Sequence, residues 1–167
     1  MKKEKNVTIM LFAVYLAILT WIILFKMQFS FADLGHIRQI NIIPFGESVI
    51  VNEEMYLDEI INNCIVFIPV GAYASLLMPG GPFWKKICPA FGISLAYEAL
   101  QFIFAIGASD ITDLLSNTAG GIVGAALVLL FSKVLKDRTH RLLNRAAIVC
   151  TILVAAFLVL LLVFNMS

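Results

Sequence analysis

Charge is what this sequence has least of. Only 14% of its 167 residues are Asp, Glu, Lys or Arg, against roughly a quarter in an ordinary soluble domain, while 61% are hydrophobic and the mean hydropathy is +0.96. That shortage excludes a water-soluble globular domain. A net charge of +1 and the lack of a strongly basic patch give no sign of a nucleic-acid partner. Histidine is scarce: His36 and His140 fall in opposite connections, cannot form one site, and each reads as a solvated-loop residue. There is no HExxH, Walker loop or nucleophile elbow, so zinc peptidase, NTPase and serine hydrolase chemistry have no support. The three cysteines, Cys64, Cys88 and Cys150, form no CxxC, lie in apolar stretches and read as small hydrophobes.

Long apolar runs are what the chain has instead. A helix needs about 20 mostly apolar residues to cross roughly 30 Å of hydrocarbon. Val7 to Phe25, Ile60 to Met78, Ile87 to Ile106, Asp113 to Ser132 and Ala146 to Phe164 approach that length. The expectation is an all-α, polytopic membrane helix bundle of about five transmembrane helices, one membrane domain over residues 1–167. The first run follows "MKKEK" but has no clear A-x-A cleavage site, so it reads as a retained anchor rather than a signal peptide. Lysine and arginine collect in alternate connections. Lys2, Lys3, Lys5, Lys85, Lys86, Lys133, Lys136, Arg138, Arg141 and Arg145 lie on one side; only Lys26 and Arg38 lie on the other. By the positive-inside rule the N-terminus is cytoplasmic, and the long first connection, with Asp33, Glu47, Glu53, Glu54, Asp58 and Glu59, is extracytoplasmic. The basic "KVLKDRTHRLLNR" segment suits anionic inner-leaflet headgroups.

Acids inside the apolar runs carry the chemistry. Helical residues three, four or seven apart share a face, so Asp110, Asp113 and Asn117 form one stripe, which Gly121 and Gly124 extend inward. Gly120-x-x-x-Gly124 has the spacing of a helix-packing motif, with a partner in the same chain or in a second copy. The third run places Ser94, Glu98 and Gln101 on one side. Glu98 lies roughly 12 Å below the outer end of its helix and Asn117 roughly 10 Å below the same side. A carboxylate at that depth costs at least about 2–3 kcal/mol and calls for a partner. Arg38 in "HIRQINIIPF" is the expected cation, on a segment read as re-entrant or interfacial and capping the bundle. Asn62 and Asn63 open the second run at the same level, followed by Pro69 and Gly71.

In order, Arg38, Asn41, Pro44 and Phe45, then Asn62, Asn63, Phe67, Pro69 and Gly71, then Ser94, Glu98 and Gln101, then Asp110, Ile111, Asp113, Asn117, Gly120, Gly121 and Gly124 resemble the motifs of the VanZ family of bacterial membrane proteins. The resemblance covers residues 38–124 and leaves residues 146–167 as an extra C-terminal transmembrane helix. It implies a multi-pass protein of the bacterial plasma membrane, associated with resistance to the lipoglycopeptide teicoplanin, and no settled biochemical activity.

Plainer roles stand beside these. Asp110 suits an N-cap, Asp113 the positive end of a helix, and Asn117 and Gln101 interhelical hydrogen bonds. Glu98 with Arg38 suits a structural ion pair, and the prolines and glycines suit architecture. Three function classes follow. In the first, an outer-leaflet polar pocket of Arg38, Asn41, Asn62, Glu98, Gln101, Asp113 and Asn117 binds or alters a lipid-linked envelope component or a lipoglycopeptide, with membrane lipids around it and no cofactor. In the second, Glu98, Asp110 and Asp113 are catalytic residues of an intramembrane enzyme acting on a polyprenyl or phospholipid headgroup, with Mg2+ as its metal. The third, an ion-coupled carrier, is disfavoured: there is no internal repeat and no second polar cluster on the cytoplasmic side.

Overall fold

A computed structural model describes residues 2–25, 37–45, 50–51, 54–55 and 57–166 of the chain. Helices α1 (Lys2–Ile23), α2 (Leu57–Leu77), α3 (Phe83–Phe104), α4 (Ile111–Leu135) and α5 (Thr139–Met166) hold most of them, and a short 3-10 turn, Lys136–Arg138, joins the last two. Among the described residues four helical segments are long and apolar enough to cross a membrane; the last, Ile111–Ala156, covers 46 residues and includes that turn. The chain is an all-α membrane bundle. Its helices outrun the apolar stretches at their polar ends, because lysine, arginine and glutamate sustain backbone hydrogen bonding as well as leucine does.

Among the described residues two short pairings interrupt the helices. Strands β2 (Ile50–Val51) and β3 (Glu54–Met55) pair antiparallel. Strand β1 (Ile37–Asn41) pairs in parallel with β4 (Ile106–Asp110), Ile37 opposite Ile106 and Asn41 opposite Asp110. The sequence reading did not anticipate this pairing: the Arg38 segment begins as a strand, and the "GASD" connection is its partner. Neither segment has helical hydrogen bonds of its own, and at the edge of a membrane unpaired N–H and C=O groups are costly, so each satisfies the other. Ile40, Ile42, Ile43 and Phe45 stay exposed. Lys26, Asp33, His36, Glu47 and Glu53 lie outside the described residues, as does most of the expected cap.

The glycines of α4 settle which helix they meet. A Cβ on Gly120 would stand 2.0 Å from the Cys64 carbonyl oxygen, one on Gly124 1.9 Å from that of Ile68, and one on Gly71 1.9 Å from that of Gly121. Helices α2 and α4 of the same chain therefore touch backbone to backbone, the closeness that small residues allow where no hydrophobic effect drives helices together. From the third side, Ala90 of α3 closes on Gly121, whose Cβ would lie 2.3 Å from its own. Around this seam Phe67, Val70, Ala90 and Tyr97 pack with Leu19, Leu24 and Ile106 as a buried core. Phe67 meets Tyr97 edge-on at 6.5 Å between ring centroids. Pro69 denies the Ile65 carbonyl its helix donor, and one residue on the Tyr15 hydroxyl donates to the Val66 carbonyl.

The basic end is tied by a separate polar knot. The Thr8 hydroxyl bonds the Asn144 Oδ1 at 2.9 Å, and Asn144 Nδ2 donates to the Glu4 carbonyl at 3.0 Å and to its carboxylate at 3.3 Å. Arg141 flanks that carboxylate at 3.8 Å. His140 is part of the knot, its Nε2 2.7 Å from the Leu76 carbonyl and its Nδ1 3.5 Å from Thr8. The solvated-loop reading of His140 is thus overturned: the turn after α4 is only three residues long, so His140 already lies on α5, against the end of α2.

Candidate functional site

At the other end of the bundle, the junction of β4 and α4 gathers the acids. Asp110 leaves the strand in extended conformation, and its Oδ1 accepts the Thr112 N–H at 2.7 Å, capping α4. Register places Asn41 opposite Asp110, and Asn41 Nδ2 donates to Asp110 Oδ2 at 3.0 Å. The Asp110 N–H donates to Glu98 Oε2 at 2.9 Å, while the Ser109 hydroxyl donates to the Glu98 carbonyl at 2.7 Å. The Glu98 carboxylate, 8% exposed on α3, is thereby held at the first turn of α4. That is where N–H groups without helical acceptors and the positive end of the helix dipole favour an anion.

One turn along α4, Asp113 Oδ1 accepts from Asn63 Nδ2 of α2 at 2.6 Å. One turn deeper again, Asn117 Nδ2 donates to the Ser94 hydroxyl of α3 at 2.9 Å. The turn after β1 is pinned to the same place: the Phe45 N–H donates to Thr112 Oγ1 at 3.1 Å and the Ile43 N–H to Asn41 Oδ1 at 3.1 Å. Helices α2, α3 and α4 with β1 and β4 thus converge on one cluster of carboxylates and amides.

Of the expected site residues, Asn41, Glu98, Asp110, Asp113 and Asn117 come together. Arg38 does not pair with Glu98: it is exposed, donates to the Ile103 carbonyl at 3.2 Å, and stands 5.5 Å over the Phe102 ring. Its register partner is Gly107, which offers no side chain, whereas the last carbonyls of α3 are the negative end of a helix dipole. Gln101 turns to α1 instead, its Nε2 3.3 Å from the Ile23 carbonyl. Asn62 is exposed, and its neighbour Asn63 takes the inward place. Helical period would have separated the two asparagines, since Asn63 shares a face with the buried Phe67, Val70 and Ala74. Thr112 and Ser109 were not read as part of the site; their signal, hydroxyls flanking an N-cap aspartate, is too common in sequences to single them out.

Chemically the cluster is rich in acceptors. Asn117 Oδ1 in the cluster, and Gln101 Oε1 and Ser75 Oγ outside it, are buried without a hydrogen-bond partner. A buried unsatisfied acceptor costs about 1–3 kcal/mol, so each such oxygen favours anything that brings it a donor. Among the described residues no group of three or more His, Cys, Asp or Glu stands where it could share a metal ion.

Residues 12–132 match the family model described as VanZ/LLP1. Protein VanZ of Enterococcus faecium is 38% identical over 157 residues, 93% of this chain and 90% of that protein. No solved structure matches. The family span runs from α1 to the last turn of α4 and contains every residue of the acidic cluster, and the likeness to Protein VanZ extends over nearly the whole chain. This chain belongs to the VanZ/LLP1 family.

Proposed function

We propose that this chain is a multi-pass protein of the bacterial plasma membrane that lowers sensitivity to teicoplanin or other lipoglycopeptides. In this reading the acidic cluster binds or alters a lipid-linked envelope component, or the drug itself, at the outer leaflet. Its membership of the VanZ/LLP1 family supports the link to glycopeptide resistance. Five spans with the N-terminus inside follow from length and charge. As one rod, Ile111–Ala156 would measure about 69 Å, more than twice the hydrocarbon thickness, and the turn that divides it carries Lys136 and Arg138. Ten of the twelve basic residues then face the cytoplasm, and the acidic cluster faces outward.

The observation that carries the reading is the unpartnered acceptor Asn117 Oδ1 in the cluster that holds the buried Glu98 carboxylate, with a second, Gln101 Oε1, one turn further along α3. Sugar hydroxyls and peptide N–H groups supply the donors such a cluster lacks, and an acyl chain holds the molecule that carries them at the outer leaflet. Teicoplanin carries an acyl chain and vancomycin does not. The test is susceptibility of a sensitive Gram-positive host expressing wild type or Glu98→Gln at matched membrane levels. Protection against teicoplanin but not vancomycin, lost in the variant, is the expected result; equal protection against both drugs overturns it.

A further inference from the structure

Among the described residues one cavity lies away from the acidic cluster. It is a groove of about 500 Å³ at the basic end, lined by Phe83 at the start of α3 and by Val123, Ala126, Leu127, Leu130 and Lys133 of α4. Phe83 precedes Glu98 by fifteen residues of the same helix, so about 22 Å separate groove and cluster. Val123, Ala126, Leu130 and Lys133 recur at intervals of three and four, with Leu127 one turn from Val123, so they form one stripe along the helix, and Leu129 lines its edge. From Val123 to Lys133 that stripe is about 15 Å long, half the thickness of the hydrocarbon core and so the depth of one leaflet.

Its two ends differ in chemistry. Everything from Val123 to Leu130 is apolar, with Ala126 as the shallow midpoint that a neighbour's bulk can enter. Lys133 closes the stripe; it is exposed and is in no ion pair among the described residues. Beside it in the fold, Trp84 and Lys85 follow Phe83, the Lys85 ammonium 5.4 Å from the centre of the Trp84 ring; tryptophan and lysine together mark the level of lipid headgroups. A second copy of the chain is a poorer occupant, because the glycine face of α4, the one shaped for a helix, is already filled by α2.

We propose that this groove holds one anionic phospholipid of the lysine-rich leaflet, an acyl chain along Val123, Ala126, Leu127 and Leu130 and the phosphate at Lys133. Phospholipid retention by the purified full-length chain in detergent, read by native mass spectrometry, tests it. Phosphatidylglycerol should be retained as a single molecule, with a preference of about five-fold over phosphatidylcholine of the same chains, the scale of one lysine facing an anionic lipid. Lys133→Gln should abolish that preference while leaving chain-dependent retention. Ala126→Leu, which fills the groove on an exposed face, should remove retention of both lipids with an unchanged helical circular dichroism spectrum. Equal retention of the two lipids by wild type overturns the proposal, and so does a preference unchanged in Lys133→Gln. Displacement of the lipid by inorganic phosphate alone would place the binding in the headgroup without the groove and overturns it too, as would a dimer that Ala126→Leu dissociates. Drug susceptibility does not enter this test, so its outcome is independent of the function proposed for the acidic cluster.

Discussion

The two ends of this bundle each bury a polar cluster, and they are built differently. At the basic end, Glu4, Thr8, Asn144 and His140 bond to one another and to the Leu76 carbonyl, with Arg141 beside Glu4. At the acidic end, Glu98 and Asp113 are held by neutral N–H donors, from Asp110 and Asn63, while Asn117 and Gln101 each keep one buried oxygen without a donor. A knot that only fastens helices gains by closing every bond, since each one left open costs stability. The acidic end forgoes that gain at Asn117 and Gln101; toward the basic end, among the described residues, Ser75 Oγ beside Leu76 is left open as well, but it lies outside the knot. Polar groups retained in a membrane at such a cost are a mark of function, and the contrast gives the inference its force because both ends sit in one chain and one solvent.

The sharpest way to break the comparison is to separate the scaffold from both ends. Gly120→Val and Gly124→Val drive side chains into the Cys64 and Ile68 carbonyls, with the first added carbon at 2.0 and 1.9 Å. These contacts are with backbone and cannot be relieved by turning a rotamer. Each variant should lose about 3 kcal/mol or more, at or beyond the upper end for overpacking, measured as unfolding in detergent, and should be scarce in membranes. A variant of normal stability would show that α2 and α4 do not meet along this seam.

How much of this was legible beforehand follows the same division. The helices were readable because apolar runs of membrane length have few alternatives, and the acidic stripe because 3.6-residue periodicity is strict. Asp110 as a cap and the convergence of Glu98, Asp113 and Asn117 followed from spacing alone. What failed depended on partners far away in sequence. Arg38 looked like the cation for Glu98 because charge suggests charge, but strand register set it opposite Gly107 and above Phe102. The parallel pairing of β1 with β4 joins segments about 70 residues apart, beyond any local pattern. His140 misled because basic neighbours suggest a loop, whereas its partners Thr8 and Leu76 come from two other helices.

Next in size is the Asn63–Asp113 contact. Asn63→Leu leaves the half-buried Asp113 carboxylate without its donor and should cost about 1–3 kcal/mol. Asp113→Asn in that background should recover most of the loss, since an amide is cheaper to leave under-bonded than an anion. Additive losses in the double-mutant cycle would mean the two side chains do not interact.

A matched pair of substitutions then puts the contrast itself to the test. Glu98→Gln keeps an oxygen for the Asp110 N–H and should change stability by less than about 1 kcal/mol while abolishing teicoplanin protection. Asn144→Ala at the basic end should do the reverse: it removes bonds to Thr8 and Glu4, costs about 1–2 kcal/mol, and leaves protection per molecule unchanged. If both variants lose protection only in proportion to abundance, the acidic end is scaffold like the other.

The smallest effects concern two of the three described non-glycine residues with positive φ, one chosen at each end, Phe45 being the third. Ala105, between α3 and β4, has φ 55°, and Lys136, after α4, has φ 49°. A left-handed backbone costs a residue with a Cβ roughly 1–2 kcal/mol, partly offset by the greater freedom glycine loses on folding. Ala105→Gly and Lys136→Gly should therefore each stabilise the protein slightly, by about 0.5–1 kcal/mol in detergent unfolding. The functional readouts should part company. The backbone at Ala105 feeds directly into the strand that carries Asp110 to Glu98, so relaxing it loosens the aim of the cluster and should lower protection at unchanged abundance. Lys136 leads into the knot at the other end of the bundle, away from the acidic cluster, so added freedom there should leave protection unchanged. Equal protection by both variants would mean that β1–β4 pairing alone fixes the acidic end, and that the turn before it contributes geometry but no precision.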